Sequence, residues 1–283
     1  MVKKKKAVGS DPLREIDLLI RDLSEPSGGD PRFKLDDNRE EKKSESVRPG
    51  SNAGTGGRGD ELHGAKQGER KQVIPSAEKA EDHYRKGVQF INERNFQQAI
   101  EEYRKVMQLA PDNVKARNNL GYAYDKLGEY DLAINEYLTA LEMDPENVQI
   151  RCNLGAVYGA KGMYEKAEQE LKKAISKEPK NAQAHCNLGI VYCKKGLYEE
   201  AVEVLKKALE FKPDFVSVYY YLGEAYNQLD MLDEAIFAFE KIIQSQPEHA
   251  KAFYHLGIIH DKKGMSDQAS LMYRKARELS ARK

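Results

Sequence analysis

The stretch ARNNLGYAYDKLGEYDLAINEYLTALEMDP, residues 116–145, carries the pattern that determines the fold. Its landmarks are, in order, Asn119, Leu120, Gly121, Tyr124, Gly128, Ala133, Tyr137 and Pro145. The landmarks recur with a constant period, shown most plainly by Pro111, Pro145, Pro179, Pro213 and Pro247, each 34 residues after the last. Six such units fill residues 80–283, so most of the chain is one tandem repeat.

Each 34-residue unit is predicted to be a pair of helices. Counting from Ala80 as position 1, the Leu at 7, the Gly at 8 and the aromatic residue at 11 share one face of the first helix. Ala at 20 and a bulky residue at 24 are neighbours on the second helix, and Pro at 32 ends it. Glycines at position 15 predict a turn with positive φ: Gly128, Gly162, Gly196 and Gly264. Asparagines at position 34 are predicted N-caps: Asn113, Asn147 and Asn181.

Period and landmarks together resemble those of the tetratricopeptide repeat (TPR) family. The resemblance implies an all-α fold, a right-handed α-solenoid whose first helices line a concave surface. The predicted repeats span 80–113, 114–147, 148–181, 182–215, 216–249 and 250–283. Repeat 1 departs from the pattern with Lys86 at position 7 and no turn glycine, repeat 5 has Asp230 in place of that glycine, and repeat 6 lacks the closing proline.

Residues 1–79 differ sharply in composition from the repeats. They hold one of the 24 aromatic residues, Phe33, and 10 of the 21 glycines. Such a composition predicts a disordered, charged and Gly-rich tail. Within it, residues 10–23 carry Leu13, Ile16, Ile20 and Leu23 on one stripe of a short amphipathic helix. A helix this short is marginal alone, so it either docks on the repeats or on a partner, or stays unfolded.

Charge and apolar content exclude several classes of function. The chain has 46 Lys+Arg and 46 Asp+Glu; the tail carries +2 (17 minus 15) and the repeats −2 (29 minus 31). Neither part has the basic excess that nucleic-acid binding through bulk charge requires. The sequence has no apolar run long enough for a membrane span, and Met1–Lys6 is followed by charged residues rather than a signal-peptide core. Three cysteines suit a reducing compartment, so the expected location is cytoplasmic.

Catalytic and metal-binding signatures are missing from the sequence. It has no phosphate loop, dinucleotide fingerprint or nucleophile elbow. Histidine spacing fits no metal motif, and Cys186 and Cys193, about two helical turns apart, are too distant for a disulfide. We therefore expect a non-enzyme without a cofactor or metal.

Positions 2, 6, 9 and 13 of each first helix lie roughly opposite the packing positions 4, 8 and 11 and are expected to face solvent. Position 6 holds three consecutive asparagines, Asn119, Asn153 and Asn187. An amide can pair with the N–H and C=O of an extended peptide. The row is similar to the asparagine ladder of O-linked N-acetylglucosamine transferase, and that resemblance implies contact with a peptide backbone in the groove. An alternative is that Asn-Leu-Gly is ordinary consensus sequence of these repeats.

Further peptide contacts are expected on either side of a small, apolar centre. The centre comprises Cys152, Ala156, Gly159, Cys186, Ile190 and Cys193. The flanking candidates are Lys115, Tyr122, Tyr220, Tyr221, Tyr254 and His255, of which the aromatic residues have a polar handle typical of contact surfaces. No three successive repeats carry the Lys, Asn and Arg pattern of the carboxylate clamp found in co-chaperone TPR domains, so that binding mode is not expected.

The sequence thus predicts an interaction scaffold that binds an extended segment of a partner protein in its concave groove. One alternative is an assembly subunit that self-associates through its last repeat, where Met272, Tyr273, Ala276 and Leu279 would present an apolar face that also suits the helix at residues 10–23. Another is a regulatory subunit of an enzyme complex, which rests on family analogy alone.

Overall fold

The computed structural model describes residues 76–282; the predicted tail and its amphipathic segment at residues 10–23 lie outside the described residues. Within 76–282 the secondary structure is entirely helical. The helices are α1 (Ser76–Asn92), α2 (Phe96–Leu109), α3 (Val114–Lys126), α4 (Tyr130–Met143), α5 (Val148–Ala160), α6 (Tyr164–Lys177), α7 (Ala182–Lys195), α8 (Tyr198–Phe211), α9 (Val216–Gln228), α10 (Leu232–Ser245), α11 (Ala250–Lys262) and α12 (Ser266–Ser280). The odd-numbered helices are the first helices of the six repeats and the even-numbered helices the second.

Capping side chains set where several first helices begin. The Oδ1 atoms of Asn113, Asn147 and Asn181 accept hydrogen bonds from backbone N–H groups three residues on, at 2.9 to 3.0 Å, which confirms the predicted N-caps. His249 takes the same place before α11, where its Nδ1 accepts from the N–H of Ala252 at 3.0 Å. The first helix α1 begins at Ser76, ahead of the repeat boundary placed at Ala80.

The turn inside each repeat uses a left-handed residue at position 15. The four predicted glycines have φ between 73° and 81°, which confirms the expectation from sequence. In the two repeats without this glycine the backbone is the same, since Arg94 has φ 58° and Asp230 has φ 55°. An L-residue in this conformation brings its Cβ close to the following carbonyl oxygen, so these two turns are strained relative to the others.

Close contact between position 8 and position 24 joins the two helices of every repeat. A Cβ added to Gly87 would lie 2.6 Å from the ring of Tyr103, and one added to Gly155 would lie 2.6 Å from Leu171. Gly121, Gly189, Gly223 and Gly257 show the same crowding, at 2.4 to 2.9 Å. Real Cβ atoms do not approach other atoms so closely, so only glycine lets the bulky side chain of the second helix reach the first.

Stacking of repeats places the first helices on the inside of the solenoid. From α1 to α9, first helices of successive repeats contact one another, whereas successive second helices make at most marginal contact within the described chain. Each second helix packs instead on the first helix of the next repeat. A continuous core therefore runs from Ala80 to Ile259, and the first helices line the concave face.

Position 4 joins repeats 2, 3 and 4 to the end of the repeat before each of them. Arg117 and Arg151 donate to the carbonyl oxygens of Pro111 and Pro145 at 3.1 and 2.6 Å, and His185 Nε2 lies 2.9 Å from Pro179 O. The two arginines also form ion pairs within their own repeats, with Glu136 and Glu170 at 2.9 and 2.8 Å. Repeats 5 and 6 have Tyr219 and Phe253 at this position, so the polar ties belong to the N-terminal part of the array.

We predict that Arg94→Gly raises the free energy of unfolding by about 0.5–1 kcal/mol. The left-handed conformation costs an L-residue about 1–2 kcal/mol, and glycine avoids this cost. The net gain in stability is smaller, because glycine also has more conformational freedom to lose from the unfolded chain. Gly128→Ala should lower stability by about 1 kcal/mol through backbone strain alone, because an added Cβ there meets no atom within 4 Å. Urea denaturation of the full chain, followed by circular dichroism, measures both. Shifts in the same direction for the two variants would contradict the assignment of strain.

Candidate functional site: the concave groove

Helical periodicity assigns the groove surface to positions 2, 6, 9 and 13 of the six first helices, but position 6 is buried in repeats 2 to 4, and tyrosines at position 5 join the surface in repeats 5 and 6. On α3, two of these positions are in contact. Lys126 Nζ, at position 13, lies 5.4 Å from the ring centroid of Tyr122, at position 9. The ring of Tyr122 also packs edge-on against the ring of Phe96, the first residue of α2, with centroids 6.3 Å apart. Tyr122 therefore lies where repeats 1 and 2 meet. Lys115 is exposed and Tyr122 half-buried, so both predicted contacts of repeat 2 keep part of their surface accessible to solvent.

Neighbouring first helices are joined under the groove by contacts between position 5 of one repeat and position 6 of the next. Asn119 Nδ2 lies 3.3 Å from the hydroxyl of Tyr84, and Asn153 Nδ2 donates to Asn118 Oδ1 at 2.8 Å. Asn187 Nδ2 donates to the backbone oxygen of Cys152 at 3.2 Å. We refer to these inter-repeat contacts as rungs. In each of them the two residues are 35 apart, one repeat plus one position.

The expectation that the three asparagines face solvent is wrong. Asn119, Asn153 and Asn187 have exposed fractions of 0%, 0% and 1%. Besides the rungs, Gln149 and Gln183 donate to the Oδ1 atoms of Asn153 and Asn187 at 3.0 and 2.9 Å. Rotation about a single helix axis places position 6 opposite the packing face, but the first helix of the preceding repeat approaches from that side and covers it.

Most of the small centre of the predicted groove is likewise part of the packed interior. Cys152 and Cys186 are 0% exposed, Ala156 is buried, and Ile190 belongs to the main core. In repeats 3 and 4 position 5 thus faces the junction between repeats. Ile190, at position 9 of repeat 4, is 9% exposed, so the expectation that it presents an exposed contact is wrong. Burial raises the pKa of the Cys152 thiol to about 12, with a smaller contribution from Glu178, so this thiol stays protonated at neutral pH.

The C-terminal part of the groove holds a cluster of aromatic side chains. The Tyr220 hydroxyl lies 3.1 Å from Nε2 of His255, which forms a rung of the same type as the asparagines do. The His255 ring stacks on Phe239 with an interplanar angle of 1° and a centroid distance of 4.9 Å. Two further rings pack edge-on against Tyr220 and His255. The Tyr221 ring lies 5.5 Å from that of Tyr220, and the Tyr254 ring lies 5.9 Å from that of His255. All four predicted residues of repeats 5 and 6 are therefore brought together, and each keeps part of its surface exposed.

A half-buried carboxyl group that the sequence reasoning missed lies beside this cluster. Glu224, at position 9 of repeat 5, has its pKa raised by burial, an effect that Lys194, a hydrogen bond with Tyr220, and Lys251 partly offset. Burial and then Glu224 also raise the pKa of Cys193 to about 12. Lysines of both neighbouring repeats thus act electrostatically on this carboxyl group.

Charge along the lining positions is strongly biased. Over positions 2, 6, 9 and 13 of all six first helices, two residues are acidic, Glu81 and Glu224. The basic residues at these positions are Arg85, Lys115, Lys126, Lys194, Lys251 and Lys262. These four positions therefore carry +4 (6 minus 2), although the repeats as a whole carry −2. Counting charge by position within the repeat, rather than over the domain, would have found this basic strip in the sequence.

The last repeat does not present the apolar face expected from sequence. Ala276 and Leu279 are buried, at 0% and 5% exposure, and Met272 and Tyr273 are half-buried. Tyr273 packs against Tyr254 with ring centroids 5.8 Å apart, and its hydroxyl donates to Asp261 at 2.8 Å. These side chains face the first helix of their own repeat. Exposed apolar groups lie elsewhere on the second helices, with Phe237 56% and Leu271 50% exposed.

Residues 76–282 contain neither a metal-binding cluster nor a membrane-spanning helix. No group of three or more His, Cys, Asp or Glu side chains in this part of the chain is arranged to hold a metal ion. None of its helices is both long and apolar enough to cross a lipid bilayer.

Helix pairs repeated every 34 residues around an inner groove define an α-solenoid of helical repeats. Family models agree: one described as TPR repeat matches residues 94–128, 126–162, 157–196 and 190–230, and one described as tetratricopeptide repeat matches 216–249 and 250–282. The chain belongs to the tetratricopeptide repeat family.

Solved structures show the same architecture. A crystal structure of MamA is 29% identical, with 58% of this chain and 95% of that chain covered and a TM-score of 0.52. Pseudomonas aeruginosa pilF is 21% identical, with 74% and 99% covered and a TM-score of 0.61. The APC/C hetero-tetramer Cut9-Hcn1 is 20% identical, with 73% and 41% covered and a TM-score of 0.68; these last two likenesses concern the fold alone. No curated protein matches the chain significantly in sequence.

We predict that Asn187→Ala lowers the free energy of unfolding by about 1–2 kcal/mol. The variant removes the donor to Cys152 O and leaves the half-buried amide of Gln183 without its acceptor. Asn135→Ala, on the exposed face of α4, is the matched control and should change stability by less than about 0.5 kcal/mol. Equal denaturation midpoints for the two variants would show that the rung contributes nothing to stability.

Proposed function

We propose that the chain is a protein-interaction scaffold that binds an extended segment of a partner in its concave groove, and that it is not an enzyme. The observation that supports this most directly is the aromatic cluster of repeats 5 and 6. Tyr221 and Tyr254 keep part of their rings exposed beside the rung formed by Tyr220 and His255. Rigid aromatic side chains with a hydroxyl group combine apolar contact area with a hydrogen bond, which is typical of interface anchors.

The proposed site follows the groove from repeat 2 to repeat 6. Lys115 and Tyr122 offer a cation and an aromatic ring at one end, and the tyrosines of repeats 5 and 6 offer the anchors at the other. Asn119, Asn153, Asn187 and Ile190 form the floor between them, and we assign them support of the surface rather than the main contact area. The proposed location is the cytoplasm, where the free thiols of Cys152, Cys186 and Cys193 remain reduced.

Peptide selection tests this function even though the partner is unidentified. Peptides selected from a random phage-displayed library on the full chain should lose about tenfold or more in affinity for the variant Tyr221→Ala with Tyr254→Ala, measured by fluorescence anisotropy. Phe237→Ala, which removes an exposed aromatic side chain from a second helix, is the matched control and should bind as the unmodified chain does. Retained affinity in the double tyrosine variant, or equal loss in the control, would refute the groove as the site.

A second candidate function, assembly of copies of this chain, is favoured by Phe237 and Leu271. These side chains occupy the same position 22 in repeats 5 and 6, are at least half exposed, and replace the polar residues that repeats 1 to 4 carry there. If this pair mediates assembly, light scattering of the full chain should give a mass above 32.1 kDa, and Phe237→Ser with Leu271→Ser should reduce it to that of the monomer. A monomeric mass for the unmodified chain at high concentration would eliminate this candidate.

A further inference from the structure

The basic excess at the lining positions favours an acidic ligand. Lys194, Glu224 and Lys251 occupy positions 13, 9 and 2 of three successive repeats, with Lys194 exposed and Lys251 half-buried, so this part of the surface carries a net positive charge. Both lysines act electrostatically on the carboxyl group of Glu224. Glu224, the acid between them, is partly withdrawn from solvent. A ligand segment therefore meets lysines and tyrosine rings, a surface suited to an acidic segment with an apolar edge.

The chain itself contains a segment with this chemistry. Residues 10–23 carry four acids, Asp11, Glu15, Asp17 and Asp22, against two bases, Arg14 and Arg21, for a net charge of −2. On a helix, Asp11, Glu15 and Asp22 fall within about 40° of one another, since each residue advances about 100°. Leu13, Ile16, Ile20 and Leu23 form a separate apolar stripe. The apolar stripe is centred about 140° around the helix axis from the acidic edge, so a helix lying in a concave groove can turn one of them toward each wall. Lysines on one wall and tyrosine rings on the other match such a helix.

Chain length permits this contact within one molecule. Residues 24–75 separate the segment from α1, which at about 3.3 Å per residue can span up to about 170 Å. Six first helices packed about 8–10 Å apart extend only about 50 Å. Tethering also gives the segment an effective concentration on the order of millimolar at the groove, so even weak intrinsic affinity leads to occupancy.

We propose that the concave groove binds the chain's own N-terminal segment, residues 10–23, with its acidic edge on Lys194 and Lys251 and its apolar edge on the exposed tyrosine rings. This inference rests on the proposed function of the groove. An external partner must then displace the segment, and the groove is selective for segments that share its acidic and amphipathic character.

Photo-crosslinking in the full-length chain tests the contact. Benzoylphenylalanine placed at Ile20 should crosslink within one molecule to peptides of α5, α7, α9 or α11, as identified by mass spectrometry. The same group at Arg21, on another side of the helix, is the matched control and should give a several-fold lower yield. Crosslinks confined to the second helices, or the absence of crosslinks to the repeats, would overturn the proposal. Mixing isotopically labelled and unlabelled chains distinguishes contact between two copies, which would also overturn it.

Charge reversal supplies a second and independent readout. Lys194→Glu with Lys251→Glu should lower the Ile20 crosslink yield at least about fivefold, because like charges then face the acidic edge. Lys206→Glu with Lys241→Glu, on the second helices, keeps the same net charge change and should leave the yield unaltered. Equal loss in both variants would attribute the effect to bulk charge and refute the site. A single-stranded oligonucleotide that binds the groove and depends on Lys194 and Lys251, while Ile20 gives no crosslinks, would assign the strip to nucleic acid instead.

A full-length variant whose N-terminal segment lacks its apolar stripe tests the internal contact separately from peptide binding by the groove. Replacing Leu13, Ile16, Ile20 and Leu23 with Ser in the full chain should raise its affinity for the selected peptides several-fold, because the competing segment is removed. If that affinity stays the same but still depends on Tyr221 and Tyr254, the groove binds peptides and the internal competitor is refuted.

Discussion

The contact between a glycine on each first helix and a bulky side chain on each second helix sets the geometry of the whole array. In all six repeats a Cβ at this glycine would collide with its partner, at 2.4 to 2.9 Å. The resulting close approach fixes how far apart and at what angle the two helices lie. Because each second helix also packs on the next first helix, an error in one pair would propagate along the stack. The shape of the groove therefore depends on the six glycine contacts between helices rather than on the residues that line it.

The fold could be predicted from sequence because its determinants are local and repeated. The glycine, the bulky residue 16 positions later, the turn glycine and the capping asparagine all lie within one 34-residue unit. The site could not be predicted equally well, since position 6 depends on how one repeat is rotated against the next. Three asparagines that helical periodicity places on the outside, Asn119, Asn153 and Asn187, are covered by the preceding first helix. The left-handed backbone at Arg94 and Asp230 also had no sequence signal, because the glycine that marks it elsewhere is missing.

Net charge is a poor guide to the charge of the individual surfaces of this chain. The repeats as a whole are slightly acidic, and the balance over all 283 residues is zero, yet the lining positions carry a basic excess. Some acids lie beside the strip, where Asp125 and Asp230 pair with Lys126 and Lys262 at 3.9 and 3.4 Å. Others lie on the second helices, where Glu136 and Glu170 pair with arginines of the same repeat. In a solenoid, the position of a residue within its repeat decides on which surface the residue lies. The charge averaged along the chain therefore does not give the charge of any one surface.

The rungs have a mechanical consequence. They join first helices one repeat apart on the inner side of the stack, whereas successive second helices make at most marginal contact within residues 76–282. Such an array resists extension along its inner edge and yields more readily where its outer helices fan apart or close together. Bending of this kind changes the curvature of the groove while every rung stays intact. The solenoid is then stiffer along its inner edge than along its outer edge, so the curvature of the groove can change without loss of the core contacts.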